Sequence, residues 1–415
     1  MSERLDRAKF GAYAVANLTG KLPNPFPRTI GPNATKYLQE VVDSGLCIDM
    51  IGRFESAFAE AYGVKHCIST PGCTPALQVL AAAFNFEPGD EVIVSPITDY
   101  GTICGLLVEN LIPVFADTAP GTINFSARTI EQCITSRTRA ILCVHKTGLI
   151  CDMDPINKLA EKHGILVYED ACQAVFGEYK YRLAGTLSKA GAFSFDSEKT
   201  MGSDVGGCII TNDDALAERA RFIGHSRGAV QKPGFGRLHT ERGYALRMPQ
   251  CTAAISLAQL EIVRPQVAQR DTMARYLTRL IKEISGVIPL PIPDETKVYS
   301  CWMFGLNIDP TQFTCSVQEF ADQLEAEGIP GAGMGEYYLI PEAVTFLQQK
   351  AADHIYPYSK PPASRDYEYG PHICPTAREF LRTFIRWSTF CEKYTPEHCE
   401  IAAEIISRVA DRNRL

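Results

Sequence analysis

The segment Ala190-Gly-Ala-Phe-Ser-Phe-Asp-Ser-Glu-Lys-Thr-Met-Gly-Ser-Asp-Val-Gly-Gly207 decides how this chain is read. An apolar run ends at Phe195, and Lys199 follows four residues later in a small, polar, glycine-punctuated loop. A lysine so placed reaches a pocket at the edge of a sheet. Among apolar neighbours its amine is lowered from the ordinary pKa of about 10.4 and becomes nucleophilic. Taken alone, the same pattern also suits a solvated lysine in a turn.

Two earlier segments share this strand-to-loop design. Leu166-Val-Tyr-Glu-Asp-Ala-Cys-Gln173 is an apolar run that delivers Asp170 at its carboxyl end, where α/β sheets bind ligands. A carboxylate buried there needs a partner, and a protonated ring nitrogen on a cofactor would serve. The simpler reading is a helix cap. Ser69-Thr-Pro-Gly-Cys-Thr-Pro-Ala-Leu77 is a run, a glycine turn, and a helix start with Pro75 near its first turn. Free N–H groups at such a start attract an anion, phosphate in particular. A plain strand-to-helix connection would look the same.

Around these segments the chain alternates. Apolar runs at 66–69, 91–95, 112–116, 140–144, 165–168, 190–195 and 207–211 read as strands. Helical patterns lie between the early ones at 75–84, 101–110, 127–135 and 154–163, after two lead-in helices at 33–44 and about 54–62. Such alternation predicts βαβ units and a mostly parallel sheet with helices on both faces. Beyond residue 250 the pattern changes: a long helix over 253–280 interrupted by Pro265, a strand over 299–308, and helices over 317–328 and 396–410. The expected division is an arm at 1–28, a large α/β domain at 29–265, and a smaller α+β domain at 266–415. The Pro- and Tyr-rich stretch 356–375 is expected to form a lid or surface loop.

Composition sets the outer limits. The chain has 415 residues, 46% hydrophobic and 21% charged, which suits a folded protein with a large core. A net charge of −7 gives no basic field for nucleic acid. Charges at the start of the chain argue against a signal peptide. The longest apolar run, 103–116, is broken by Glu109 and Pro113, so we expect a cytoplasmic protein with no membrane span. The fifteen cysteines are scattered without zinc-site spacing, which predicts reduced thiols and no metal.

Anion site, strand-end aspartate and later strand-end lysine, in that order, are the layout of fold-type I pyridoxal-phosphate enzymes. The chain resembles the DegT/DnrJ/EryC1/StrS family of sugar aminotransferases from about Gly31 to Ala410. The matches are Ser44-Gly45, Phe54-Glu55, Gly89-Asp-Glu-Val-Ile-Val94, Thr138-Arg-Ala-Ile141, Val144-His145 with Gly148, Glu169-Asp-Ala-Cys-Gln-Ala174, Phe193-Ser-Phe195 with Lys199, Gly206-Gly207 and Arg247-Met248.

The resemblance implies a homodimer with shared active sites. It also implies transfer of an amino group from glutamate or glutamine to a keto sugar, often nucleotide-linked, or to a keto cyclitol. Lys199 would form the Schiff base of a ping-pong cycle, and Asp170 would pair with the pyridine nitrogen. Gln173 would contact the ring. Ser194, with the backbone of Gly72, Cys73 and Thr74, would hold the phosphate of pyridoxal 5'-phosphate. Tyr100 would supply a ring to stack on the cofactor, because Asp99 occupies the usual aromatic position. His145, His225, Tyr337 and Tyr338 are candidates to meet the substrate, while Arg386 and Trp387 read as packing. Further departures from the family pattern are Cys73, Asp204-Val205 and Ala245. They keep open another pyridoxal-phosphate reaction, such as sugar dehydration or deoxygenation, or a non-catalytic paralogue.

Overall fold

In the computed structural model the described residues are 22–226, 234, 236, 238–335, 338–348, 361–370 and 372–415, with Phe346 described by its backbone alone. The chain enters through α1 (Ala34–Asp43) and α2 (Met50–Tyr62). Asp49 starts α2 by accepting the Gly52 N–H at 2.9 Å, and Gly63 ends it in the left-handed conformation (φ 64°). Next come β1 (His66–Thr70), α3 (Cys73–Ala83), β2 (Glu91–Val94), α4 (Tyr100–Val108), β3 (Ile112–Phe115), α5 (Ala127–Glu131), β4 (Thr138–Val144), α6 (Met153–His163) and β5 (Leu166–Asp170). The hairpin β6 (Glu178–Tyr179) and β7 (Arg182–Leu183) leads to β8 (Gly191–Ser194), β9 (Gly207–Thr211) and α7 (Asp214–His225).

Seven of these strands form one sheet in the order β1-β9-β8-β5-β4-β2-β3. They are the seven apolar runs read from the sequence. Helical crossovers make the β2–β3, β2–β4 and β4–β5 ladders parallel, and the segment with the β6–β7 hairpin returns the chain so that β5–β8 is parallel too. A helix-free loop joins β8 to β9, so β9 runs antiparallel to β8 and to β1. Every residue of β2 and β9 is buried, as expected for strands covered on both faces. Side chains of β4 alternate between two cores: Ala140 and Leu142 pack with Leu80 and Tyr168, while Ile141 and Cys143 pack with Phe54 and Phe58.

The long helix α8 (Gln250–Ile281) runs through Pro265 without a break in assignment. It leads to β10 (Val287–Pro289), β11 (Thr296–Val298), β12 (Phe304–Ile308), α9 (Val317–Glu327), β13 (Ala332–Met334), α10 (Pro375–Thr383), β14 (Phe384–Trp387) and α11 (Pro396–Arg412). A second, antiparallel sheet has the order β10-β12-β14-β13. Strand β11 instead pairs with β6, tying this half to the first. The strand expected over 299–308 begins only at Phe304, because Cys301 stands at φ 45° and breaks it.

The stretch 356–375 is no lid where it is described. The Tyr367 hydroxyl donates to Glu91 at 2.6 Å, and the Tyr369 hydroxyl donates to the Pro113 carbonyl at 3.1 Å. Both partners lie near the starts of their strands, so this part packs at the end of the sheet away from Asp170. No helix among the described residues is long and apolar enough to cross a membrane. All fifteen cysteines are free, eight of them buried, as expected of reduced thiols.

Candidate active site

Asp170 ends β5 with 2% of its surface exposed. Period-two alternation sends its side chain and that of Glu169 to opposite faces. The Thr102 hydroxyl donates to Asp170 Oδ2 at 2.8 Å, and the Cys172 N–H donates to Oδ1 at 3.2 Å. The Cys73 thiol lies 3.6 Å from Oδ1. Thr98 and Thr102 hydroxyls are 2.7 Å apart and extend the network. One carboxylate is thus fixed by two helix-start segments, 73–74 and 98–102.

Lys199 is half-buried beyond β8, its Nζ 4.0 Å from the centre of the Trp302 ring. Its loop is gripped from outside. Arg28 donates to the Ser197 carbonyl at 2.7 Å and to the Thr200 carbonyl at 3.0 Å, and Trp302 Nε1 donates to the Glu198 carbonyl at 2.9 Å. Burial draws the Lys199 ammonium down, but Cys172, Asp170, Cys73 and Asp196 outweigh it, so the net direction is up. This corrects the sequence expectation of a lowered amine.

The lowered amine belongs to Lys146. It follows β4, is fully buried, and has no hydrogen-bond partner at Nζ. Burial first, and the charge of Lys199 second, push it well below the usual lysine range. Its Nζ lies 3.1 Å from the centre of the Tyr338 ring and 6.0 Å from that of Trp302. Tyr338 is held there because its carbonyl accepts the Thr98 N–H at 3.0 Å, while the Ile340 N–H donates to the Pro96 carbonyl at 2.9 Å.

The third corner is the start of α3. Gly72 caps it with no side chain, leaving the first N–H groups open, those of Cys73 and Thr74 included. Thr70, Gly207 and Ser194 stand in register across β1, β9 and β8. A Cβ on Gly207 would clash with the Gly72 carbonyl carbon, so only glycine lets β9 pass so close to the helix start. Gln173 is buried, and its Oε1 accepts the Thr147 N–H at 2.7 Å. Thr147 is left-handed (φ 60°), an uncommon position for a β-branched residue.

Other expected residues stand elsewhere. His145 is not at the mouth: it is fully buried, its Nε2 donating to Glu169 at 2.9 Å while Nδ1 accepts the Cys151 N–H at 3.3 Å. Glu169 also accepts from Gly185, Leu187 and Ser188, so the pair is a framework contact. His225 ends α7, and its Nε2 donates to the Ser69 carbonyl at 3.1 Å. Tyr100 is 44% exposed at the start of α4, with the Cys104 thiol beside its hydroxyl, while Trp302 and Tyr338 are the rings at the two lysines. Tyr337 lies outside the described residues. Asp99 caps α4 by accepting the Gly101 N–H at 3.0 Å. One set of metal-type donors is close together: Cys73, Asp170 and Cys172 have ligand atoms within 4.8 Å of one another. A hydrogen bond with Cys172, then burial, pushes the Cys73 thiol well up, which favours its protonated form.

Lys146, Thr147, Thr102 and Trp302 were not singled out from the sequence. The residues present suit pyridoxal phosphate: an open helix start with a glycine cradle for an anion, a buried carboxylate for a ring N–H, and an amine between them.

The DegT/DnrJ/EryC1/StrS aminotransferase family model matches residues 28–365. The chain is 36% identical over 307 residues to the GDP-perosamine synthase of Caulobacter vibrioides, covering 73% of this chain and 81% of that protein. It is 30% identical over 348 residues to the spore coat polysaccharide biosynthesis protein SpsC of Bacillus subtilis, covering 81% and 85%. In shape it matches Helicobacter pylori PseC, an aminotransferase involved in the biosynthesis of pseudoaminic acid, with a TM-score of 0.79 at 24% identity over 92% of this chain and 98% of that one. The fold is that of the fold-type I enzymes. With most of its length matched by the family model and by relatives at this level of identity, the chain belongs to the DegT/DnrJ/EryC1/StrS aminotransferase family.

Proposed function

We propose that this aminotransferase uses pyridoxal phosphate to move the amino group of glutamate or glutamine to a keto sugar, nucleotide-linked or not, or to a keto cyclitol. The observation that carries the reading is that Lys199, in the loop after β8, lies near enough to Asp170 at the end of β5 for that carboxylate to hold its ammonium up, while the Cys73 thiol at the open start of α3 lies 3.6 Å from the same carboxylate. The names of the two relatives, a GDP-perosamine synthase and a polysaccharide biosynthesis protein, support a sugar acceptor.

Each residue has a task in this reading. The N–H groups of Cys73 and Thr74, with Ser194, hold the phosphate. Asp170 accepts a hydrogen bond from the ring nitrogen and keeps it protonated, its carboxylate aimed by Thr102 and the Cys172 N–H. Gln173, steadied by the Thr147 N–H, meets the ring. When bound, the cofactor supplies an aldehyde carbon and an electron-withdrawing ring that accepts the electron pair of a broken Cα–H bond. Lys199 would be the amine that holds the aldehyde carbon and, when free, carries the proton. Trp302 and Tyr338 keep water from the two lysines. In our reading two copies form a dimer whose subunits complete each other's sites.

The test is an absorbance spectrum of the purified protein with and without glutamate or glutamine. A visible cofactor band that shifts with a donor, and that is absent together with turnover in Lys199→Ala, is the expected result. Turnover in Lys199→Ala would sink the reading.

A further inference from the structure

Lys146 has no part in the scheme above, yet its burial is hard to account for as packing. The side chain is fully buried, Nζ has no hydrogen-bond partner among the described residues, and the Tyr338 ring closes over it at 3.1 Å. One Trp302 ring serves both amines, with Nζ of Lys199 at 4.0 Å and Nζ of Lys146 at 6.0 Å from its centre. Two ammonium groups in so dry a pocket repel each other strongly.

The charged and titratable groups facing Lys146 are Lys199, Cys172, Asp99 and Asp170. Asp170 is already engaged by Thr102 and the Cys172 N–H, and Asp99 is exposed and caps α4. Among the described residues no carboxylate is left to pair with a second ammonium. Burial and the charge of Lys199 push the Lys146 amine down, so an ammonium on Lys199 opposes a second one on Lys146. Lys199 is the member with Cys172, Asp170 and Asp196 to hold its ammonium up, whereas burial pushes the Lys146 amine down.

We propose that Lys146 is a second acid–base amine of the active site, the group that takes up the proton Lys199 gives away. The step balances: one N–H bond breaks on Lys199, one forms on the Lys146 lone pair, and the positive charge moves with the proton. Lys199 is then a free amine, able to add to a carbonyl carbon or to accept a proton from carbon. The pocket keeps its charge, and the proton is not lost to solvent. This inference rests on the reading of Lys199 as the working amine.

Two measurements test it. The first is a pH titration of the full-length, cofactor-free chain by NMR with ¹³Cε-labelled lysine, the Lys146 signal assigned with Lys146→Met. Lys146 is expected to titrate well below the ordinary lysine range, and to move up in Lys199→Met. An ordinary midpoint, or one indifferent to Lys199→Met, overturns the pairing. The second is the rate of the donor-driven spectral change in Lys146→Met holoenzyme. It should fall about a hundredfold near neutral pH and recover as pH rises, because hydroxide then removes the Lys199 proton. A wild-type rate across the same range overturns the proposal. Absence of any donor-driven change in the wild type would instead count against the proposed function, so the two failures are distinct.

Discussion

Thr102 donates a hydrogen bond from its hydroxyl to Asp170 and thereby takes one lone pair of a buried carboxylate out of competition. Thr102→Val keeps the shape and removes that bond. A hydrogen bond to a charged group contributes about 1.5–3 kcal/mol, so cofactor affinity should fall about 10- to 100-fold, read by equilibrium dialysis against pyridoxal phosphate. Unchanged affinity would mean that Asp170 needs no such support. Asp170 and Lys199 were legible as candidates because each follows an apolar run into a polar loop, whereas Gln173 and Ser194 came only with the family resemblance. Lys146 had no such signature. What makes it unusual is a ring some 190 positions later in the chain and the absence of a partner, neither of which is a property of its neighbours in sequence. His145 misled for the same reason: a strand-end histidine reads alike whether it faces the mouth or Glu169.

Between elements, the loop that carries Lys199 is turned by its own hydrogen bonds, the Lys199 N–H to the Asp196 carbonyl at 2.9 Å and the Ser197 N–H to the Asp204 carbonyl at 2.7 Å. Arg28 and Trp302 add a grip from outside on the carbonyls of Ser197, Glu198 and Thr200. Removing this grip should misplace the lysine without unfolding the chain, and small displacements cost a large part of the rate. Arg28→Ala should thus lose about tenfold or more in kcat while circular dichroism stays unchanged. An unaltered kcat would show that the loop holds its own shape. All seven strands of the large sheet were legible because burial on both faces writes them as continuous apolar runs. The two- and three-residue strands β6, β7, β10, β11 and β13 were not, since a period cannot be read from so few residues. Strand β14 was taken for packing alone, which its burial in the middle of the small sheet explains.

At the scale of the whole molecule, we place the division between the two halves within α8, near Pro265. Just beyond it a polar, buried joint fixes α8 to the rest of the second half. Arg270, 2% exposed, donates to Glu392 at 3.0 and 2.7 Å and to the carbonyls of Cys301 and Phe390 at 3.1 and 3.0 Å. Breaking such a pair leaves a buried charge alone and typically costs about 3–5 kcal/mol. Arg270→Ala should therefore lower Tm by many degrees, and a shift of only a degree or two would show that the joint is redundant. The proposed dimer is checked by light scattering: a solution mass of one chain, with full activity, would rule it out.

Trp302 belongs to the second half and steers a lysine that belongs to the first. Protein engineers who want a new acceptor would be drawn to exchange residues 266–415 for those of a relative. Such a chimera would change more than the substrate mouth. It would bring in a foreign hand on Lys199, and its turnover could fail even with every residue of the first half intact. Breeding new specificities from this scaffold calls for keeping residues 299–303 with their original host and varying what lies beyond.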